Sequence, residues 1–326
     1  MSRMQGKALP ERSADAPVYV GIDVCKAWLD VYLHPVAIRL RVENAAEGVR
    51  KLKRVLAGHR TGLVVMEATA KYHRRAHRML DAAGYPVAVV NPLRARLFAE
   101  ALGVLAKTDR IDARMLAVMG ESLKLNATPP PAEALQELQE LVHARQAASA
   151  ERTALANRLG ASQVAFLRAE LKRRCESLER HIARLNAEIE RRLQSDPALM
   201  RRYAILLSVP GIGKTTAVAL LVGLSELGVC SSKAAALLAG LAPLARDSGD
   251  KNSDRHIRGG RANVRKALYM AAVTAARFNP DLAAFYARLR AIGKPAKLAL
   301  TAVMRKLVVL ANSLLREDRP WLPIRA

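Results

Sequence analysis

Val18-Tyr19-Val20-Gly21-Ile22-Asp23-Val24 decides the fold class. The stretch is rich in β-branched and aromatic residues, which suit an extended, half-buried backbone. Residues 28–33 (WLDVYL) repeat that composition after a short break, and residues 37–42 (AIRLRV) alternate apolar and basic. Three such runs in close succession predict an antiparallel meander. The apolar runs 63–66 and 87–90 read as further strands, with helical stretches over 45–56 and 70–83 between them. The order β-β-β-α-β-α-β-α predicts a mixed sheet with crossover helices.

Two acids stand where two of these strands end, Asp23 after the first and Glu67 after the fourth. Lys107-Thr108-Asp109-Arg110-Ile111-Asp112 then opens a helix. Asp109 and Asp112 are three apart, so they project from one helical face. If the first and fourth strands are neighbours and that helix packs at their ends, four carboxylates converge. Their mutual repulsion is relieved by a hard divalent cation with oxygen ligands, Mg²⁺ first and Mn²⁺ as the alternative. Two such ions can clamp the entering and leaving oxygens of a phosphoryl transfer. Taken singly, each acid is equally compatible with a turn or a helix cap. Asp30 lies mid-strand and is a weaker member. His73 and His77 are spaced i, i+4 without the HExxH pattern of a zinc helix. The cations around them, Lys71, Arg74, Arg75 and Arg78, face either phosphates or solvent.

Lys and Arg number 53 against 29 Asp and Glu, a net charge of +24. That surplus points to a polyanion partner, nucleic acid before an anionic membrane. Aromatic residues are only 4%, which argues against base stacking as the main grip and for neutralisation of backbone phosphates. Cys25, Cys175 and Cys230 are odd in number and far apart, so neither a disulfide framework nor a cysteine zinc site is expected. Residues 1–16 are polar and read as a disordered tail without a signal peptide. No membrane span is expected, and the chain reads as cytoplasmic, in a prokaryotic cell and close to the nucleoid.

The charge divides the chain into 1–130 (+9), 131–200 (+1) and 201–326 (+14). Pro129-Pro130-Pro131 and Asp196-Pro197 mark the breaks. The expected parts are therefore 17–128, an α/β domain; 129–196, a helical spacer; and 197–326, a mostly helical domain. In the spacer, Leu171, Cys175, Leu178, Ile182, Leu185 and Ile189 follow 4, 3, 4, 3, 4 spacing, a coiled-coil seam. An antiparallel helical hairpin turning near Gly160 is the simplest form, serving as a spacer or for dimerisation.

Residues 208–216 (SVPGIGKTT) resemble a P-loop, but the pattern wants Gly where Ser208 stands, and the preceding residues read as helix rather than buried strand. A helix–hairpin–helix element fits better. Its Gly211 and Gly213 allow close backbone approach to a phosphate, and the following helix offers free N–H groups beside Lys214. Such contacts hold a nucleic acid without reading its sequence. Further on, Ala239-Gly240-Leu241-Ala242-Pro243 leads into Asp247-Ser248-Gly249 and a basic loop, then a helix over 261–278.

The motifs YVGIDV (19–24), VMEAT (65–69) and AKTDRIDA (106–113), together with GLAP…DSG…HIRGGRANVRKALYMAA in the C-terminal third, resemble an insertion-sequence transposase family. Its members are also called bridge-RNA-guided recombinases. The likeness extends from about residue 18 to 318. It implies an RNase H-like (RuvC-like) N-terminal domain whose metal tetrad is Asp23, Glu67, Asp109 and Asp112. It also implies a coiled-coil segment and a C-terminal domain whose nucleophile falls on Ser248. Ser248 lies among Arg246, Lys251, Arg255, Arg258, Arg261 and Arg265, which suit a transferring phosphoryl group. Asp247 and His256 are candidate bases. The resemblance further implies double-stranded donor and target DNA as substrates, a structured non-coding RNA as guide, and a homo-oligomer, dimer or tetramer. Two alternatives stay open: a junction nuclease that uses water as nucleophile, and a non-catalytic DNA-binding architectural protein.

Overall fold

The computed structural model describes residues 16–104, 109–244 and 255–323, with residues 109 and 110 by backbone alone. The chain forms two compact units, Met1–Pro131 and Ala132–Ala326. In the first, β1 (Val18–Val24), β2 (Trp28–His34) and β3 (Ile38–Glu43) form the antiparallel meander. α1 (Ala46–Leu56) leads to β4 (Thr61–Glu67), and α2 (Arg74–Asp81) leads to β5 (Val87–Val90). The sheet order is β3-β2-β1-β4-β5, and β4 lies parallel to β1. The first and fourth strands are thus direct neighbours, the condition on which the carboxylate argument depends.

Strand alternation sorts the sheet into two faces. Val18, Val20, Ile22 and Val24 of β1, with Val64 and Met66 of β4, bury against Val49, Leu52 and Leu56 of α1 and Leu80 of α2. The other face is covered by α4 (Asp109–Ser122), whose Leu116 and Met119 meet Leu63, Val65, Ala88 and Val90. Two glycines bring helix and sheet together. A Cβ at Gly21 would lie 1.9 Å from the Ala113 carbonyl oxygen, and one at Gly120 would lie 2.9 Å from Val65 Cγ2.

Two details depart from the sequence expectation. α2 begins at Arg74 rather than near residue 70, because Ala70 sits in the left-handed region (φ +42°) and cannot start a right-handed helix. A helix, α3 (Pro92–Ala101), also precedes α4. Asn91 caps it by accepting from Leu93 N at 2.8 Å, with Pro92 in the first turn.

In the second unit, α5 (Glu133–Ala161) and α6 (Ala165–Gln194) form the hairpin. α5 runs through Gly160, and the turn falls at 162–164. Ion pairs join the two helices, Arg152–Glu179 at 2.6 Å and Arg192–Glu137 among them. The seam is buried at Leu171 and Ile189 and half-buried between them. At the hairpin base, Leu138, Val142, Ile189 and Leu193 share one core with the helices that follow. Those are α7 (Pro197–Leu207), α8 (Lys214–Gly223), α9 (Ser232–Leu238), α10 (Ala262–Phe278), α11 (Pro280–Ala291) and α12 (Ala296–Arg316).

α12 is long and apolar enough by composition to cross a bilayer. Here half of it is buried, and it packs on α7, α9, α10 and α11 as a core helix. Its Asn312 is fully buried, accepts from Gly228 N at 2.8 Å and donates to the Cys230 carbonyl at 3.0 Å. Asn312→Ala strands both backbone groups, so urea denaturation is expected to show a loss of about 1–3 kcal/mol.

Candidate active site

The acidic site begins with strand register. Ile22 pairs with Met66, so Asp23 and Glu67 come next along the two parallel strands. Ile22 and Met66 point into the α1/α2 core, so alternation turns Asp23 and Glu67 to the α4 side. Adjacent strands lie about 4.8 Å apart, which sets the two carboxylates side by side. On α4, Ala113 rests on Gly21, and Asp112 precedes it by one residue. Glu67 and Asp112 line one cavity of about 390 Å³, with Arg96, Leu93 and Met115 among its walls. Asp109 is the first residue of α4, and its side chain lies outside the described residues.

Three members of the expected tetrad are thus linked in pairs, Asp23 with Glu67 by register and Glu67 with Asp112 by a shared cavity. Among the described residues, no three Asp, Glu, His or Cys side chains gather closely enough to hold an ion by themselves. The donors present are all carboxylate oxygens, a set that fits Mg²⁺ or Mn²⁺ and not a soft metal.

Asp30 is set apart by its partner. It stands opposite Asp23 in the β1–β2 register. It is nearly buried, and Arg41 on β3 binds it through Nε and Nη2, both at 2.8 Å. That bidentate pair neutralises the acid opposite Asp23. The two histidines are held differently. His77 is buried with Nε2 at 2.6 Å from the Thr128 carbonyl oxygen, and burial holds the His73 imidazole below its usual pKa, in the neutral form. Of the neighbouring cations, Lys71 and Arg75 are exposed, with Arg75 reaching the Asn44 carbonyl at 3.3 Å, while Arg74 and Arg78 are half-buried.

In the second unit, the turn between α7 and α8 gives its two glycines different tasks. Gly211 (φ +106°) is a packing glycine, since a Cβ there would lie 2.5 Å from Ala275 Cβ on α10. Gly213 faces open space and precedes α8 without a side-chain cap. Lys214 is exposed and paired with Glu190 at 2.6 Å.

Ser248, Arg246, Lys251 and Asp247 lie outside the described residues. The base of their loop is described. β6 (Pro243–Leu244) pairs antiparallel with β7 (His256–Ile257). Below this ribbon, Gly240 (φ +68°) and Gly260 (φ +65°) touch backbone to backbone, where a Cβ on Gly260 would lie 2.1 Å from Gly240 N. Arg265 donates to the Gly259 carbonyl at 2.7 Å. Arg261 donates to the Gly223 carbonyl at 2.8 Å and to Glu226 at 2.6 Å. Both arginines therefore brace the loop, whereas Arg255, His256 and Arg258 are exposed on it. Burial raises the Glu226 pKa, but the Arg261 hydrogen bonds outweigh it and leave the carboxyl below its ordinary value. Glu226 and the Gly240–Gly260 contact were not legible as a unit, because their residues are separated by the loop they close.

Comparison with known proteins places these features in context. Residues 20–163 match a family model of the IS110-type DEDD transposase domain, described as "Transposase". Residues 203–287 match one described as "Transposase IS116/IS110/IS902 family". The chain is 28% identical over 314 residues to a "Pilin gene-inverting protein" of Moraxella bovis, covering 93% of this chain and 97% of that one, with the same figures for its counterpart in Moraxella lacunata. It is also 32% identical over 135 residues to an "Insertion element IS110 uncharacterized 43.6 kDa protein" of Streptomyces coelicolor, which covers 41% of this chain and 32% of that one.

Gly21→Ala drives a methyl group into the α4 backbone. Thermal or urea denaturation is expected to show a loss of about 2–3 kcal/mol, and calorimetry a weakened uptake of Mn²⁺. Glu226→Gln tests the brace. Because the folded pKa is depressed, the wild type's advantage is complete above about pH 4.5 and fades as pH falls through the folded value. At neutral pH the half-exposed pair is expected to contribute about 1 kcal/mol, read as the stability difference between the two proteins.

Proposed function

The chain belongs to the IS116/IS110/IS902 family of transposases, enzymes that act on DNA, and we propose that it cuts and rejoins DNA strands with a carboxylate-held divalent metal and a serine nucleophile. The observation that carries the reading is the meeting of Glu67 and Asp112 at one cavity, with Asp23 next to Glu67 in strand register. A DEDD family implies a divalent metal. Asp23, Glu67, Asp109 and Asp112 would hold it, as Mg²⁺ or Mn²⁺. When bound, it supplies Lewis-acid stabilisation of charge at a phosphodiester. Arg41 keeps Asp30 from competing for the same ion.

In this reading Ser248 Oγ forms a bond to a DNA phosphorus while the bond to the departing strand breaks. The serine proton passes to a base, with Asp247 and His256 as candidates, and from there to the oxygen of the departing strand, which leaves as a free hydroxyl. Attack by the hydroxyl of another strand reverses the step, so the phosphodiester is restored without ATP. The braced ribbon supports this role, since it anchors the loop at both ends close to a well-packed core. Cleavage followed by rejoining serves either transposition or inversion of a DNA segment, and the Moraxella relatives are named for inversion.

The family resemblance supports two further parts of the proposal. A structured non-coding RNA guides target and donor choice by base pairing, and the working enzyme is a homo-oligomer. A charge of +24 suits a protein that holds RNA and DNA together.

The test uses a suicide DNA substrate with Mg²⁺. Wild type is expected to trap a covalent protein–DNA adduct. Ser248→Ala should form none while still binding DNA, and Asp23→Asn should lower cleavage by about 10³-fold. Cleavage at wild-type rate by Ser248→Ala would replace the serine step with attack by water. Wild-type processing by Asp23→Asn would reduce the protein to a DNA binder.

A further inference from the structure

The positive charge of the second unit is unevenly neutralised. In the α5–α6 hairpin and the α8 turn glutamates are interspersed with the cations and several pair, as in Arg152–Glu179, Arg192–Glu137 and Lys214–Glu190, while Arg158, Lys172, Arg180 and Arg184 are exposed without an ion-pair partner among the described residues. The stretch from residue 282 to 316 is different, because it contains no Asp or Glu at all. Arg288, Arg290, Lys294, Lys297, Arg305 and Lys306 are all exposed there. Among the described residues none of the six has an ion-pair partner; Asp281, in the first turn of α11, is not paired with them.

Packing gathers these charges. Lys306 Nζ on α12 lies 4.1 Å from the ring centre of Phe285 on α11, and the Arg288 guanidinium carbon lies 5.4 Å from the same ring. Two cations on one aromatic ring are drawn together by its quadrupole despite their repulsion. At the α11–α12 turn, Arg290 donates to the Lys294 carbonyl at 2.6 Å, which holds a second cation beside Lys294.

Concentrated, exposed and unneutralised cations are costly unless a polyanion meets them. We infer that the α11–α12 face, centred on Arg288, Phe285 and Lys306, is a docking surface for the phosphodiester backbone of a DNA duplex. The inference rests on the reading of the chain as a nucleic-acid enzyme, and it adds a surface that neither motif identified. Residues 288–306 lie beyond both matched family regions, 20–163 and 203–287. The surface grips the backbone and positions the duplex without selecting sequence.

The test measures binding of random-sequence DNA and RNA duplexes to the full chain between about 50 and 200 mM salt. The variants are R288Q/K306Q and the charge-keeping R288K/K306R, with thermal melting as a check of folding. The glutamine pair is expected to lower the log–log salt slope by about 1.8 and to weaken binding tens of times near 0.1 M salt. The charge-keeping pair should retain the wild-type slope. A drop with the DNA duplex supports the inference. A wild-type slope in R288Q/K306Q with the DNA duplex overturns it by itself, whether or not the RNA duplex shows a drop. A wild-type chain that binds neither duplex overturns the nucleic-acid reading as well.

Discussion

The N-terminal site depends on one steric fact, the absence of a side chain at Gly21. A helix ordinarily stands off a sheet by the thickness of its side chains. Here the Ala113 carbonyl occupies the place of a Cβ on the strand, so α4 lies backbone against backbone on β1. Gly120 lets the other end of the helix settle on Val65 in the same way. Asp112 is thereby lowered to the cavity that Glu67 also lines. The all-oxygen donor set along that cavity defines which kind of ion it can take.

Arginine carries out two opposite tasks in this protein. Arg41, Arg261 and Arg265 are structural: one silences Asp30 and two brace the ends of the Ser248 loop. Five cations of the hairpin, Arg152, Arg173, Arg174, Arg191 and Arg192, pair with glutamates. Among the described residues the six cations between Arg288 and Lys306 do not, so that acid-free stretch carries a concentrated share of the net charge of +24. Local concentration of charge matters for a backbone-gripping enzyme, because neutralised cations release no counterions when DNA binds.

Much of this was legible in the sequence. The strand order of elements, the acids at the ends of β1 and β4, the hairpin and the turn before Lys214 all follow from short-range pattern. The fusion of the hairpin base with the C-terminal helices was not legible, because the seam residues Ile189 and Leu193 carry no mark of which neighbour buries them. α3 escaped notice although Asn91-Pro92 is a good helix start. Ala70 escaped because its left-handed backbone is imposed by the turn after Glu67, not by its own preference. The packing of Gly211 on Ala275 was not legible, since the two are 64 positions apart. The pairing of Arg261 with Glu226 was hidden for the same reason.

The central claim is that Asp23, Glu67 and Asp112, with Asp109, share one divalent metal site. Anomalous diffraction from crystals of the full chain grown with Mn²⁺ tests it most directly. The account predicts a manganese peak within coordination distance of carboxylate oxygens from Asp23, Glu67 and Asp112. Manganese bound elsewhere, with those three side chains turned away from one another, would contradict it.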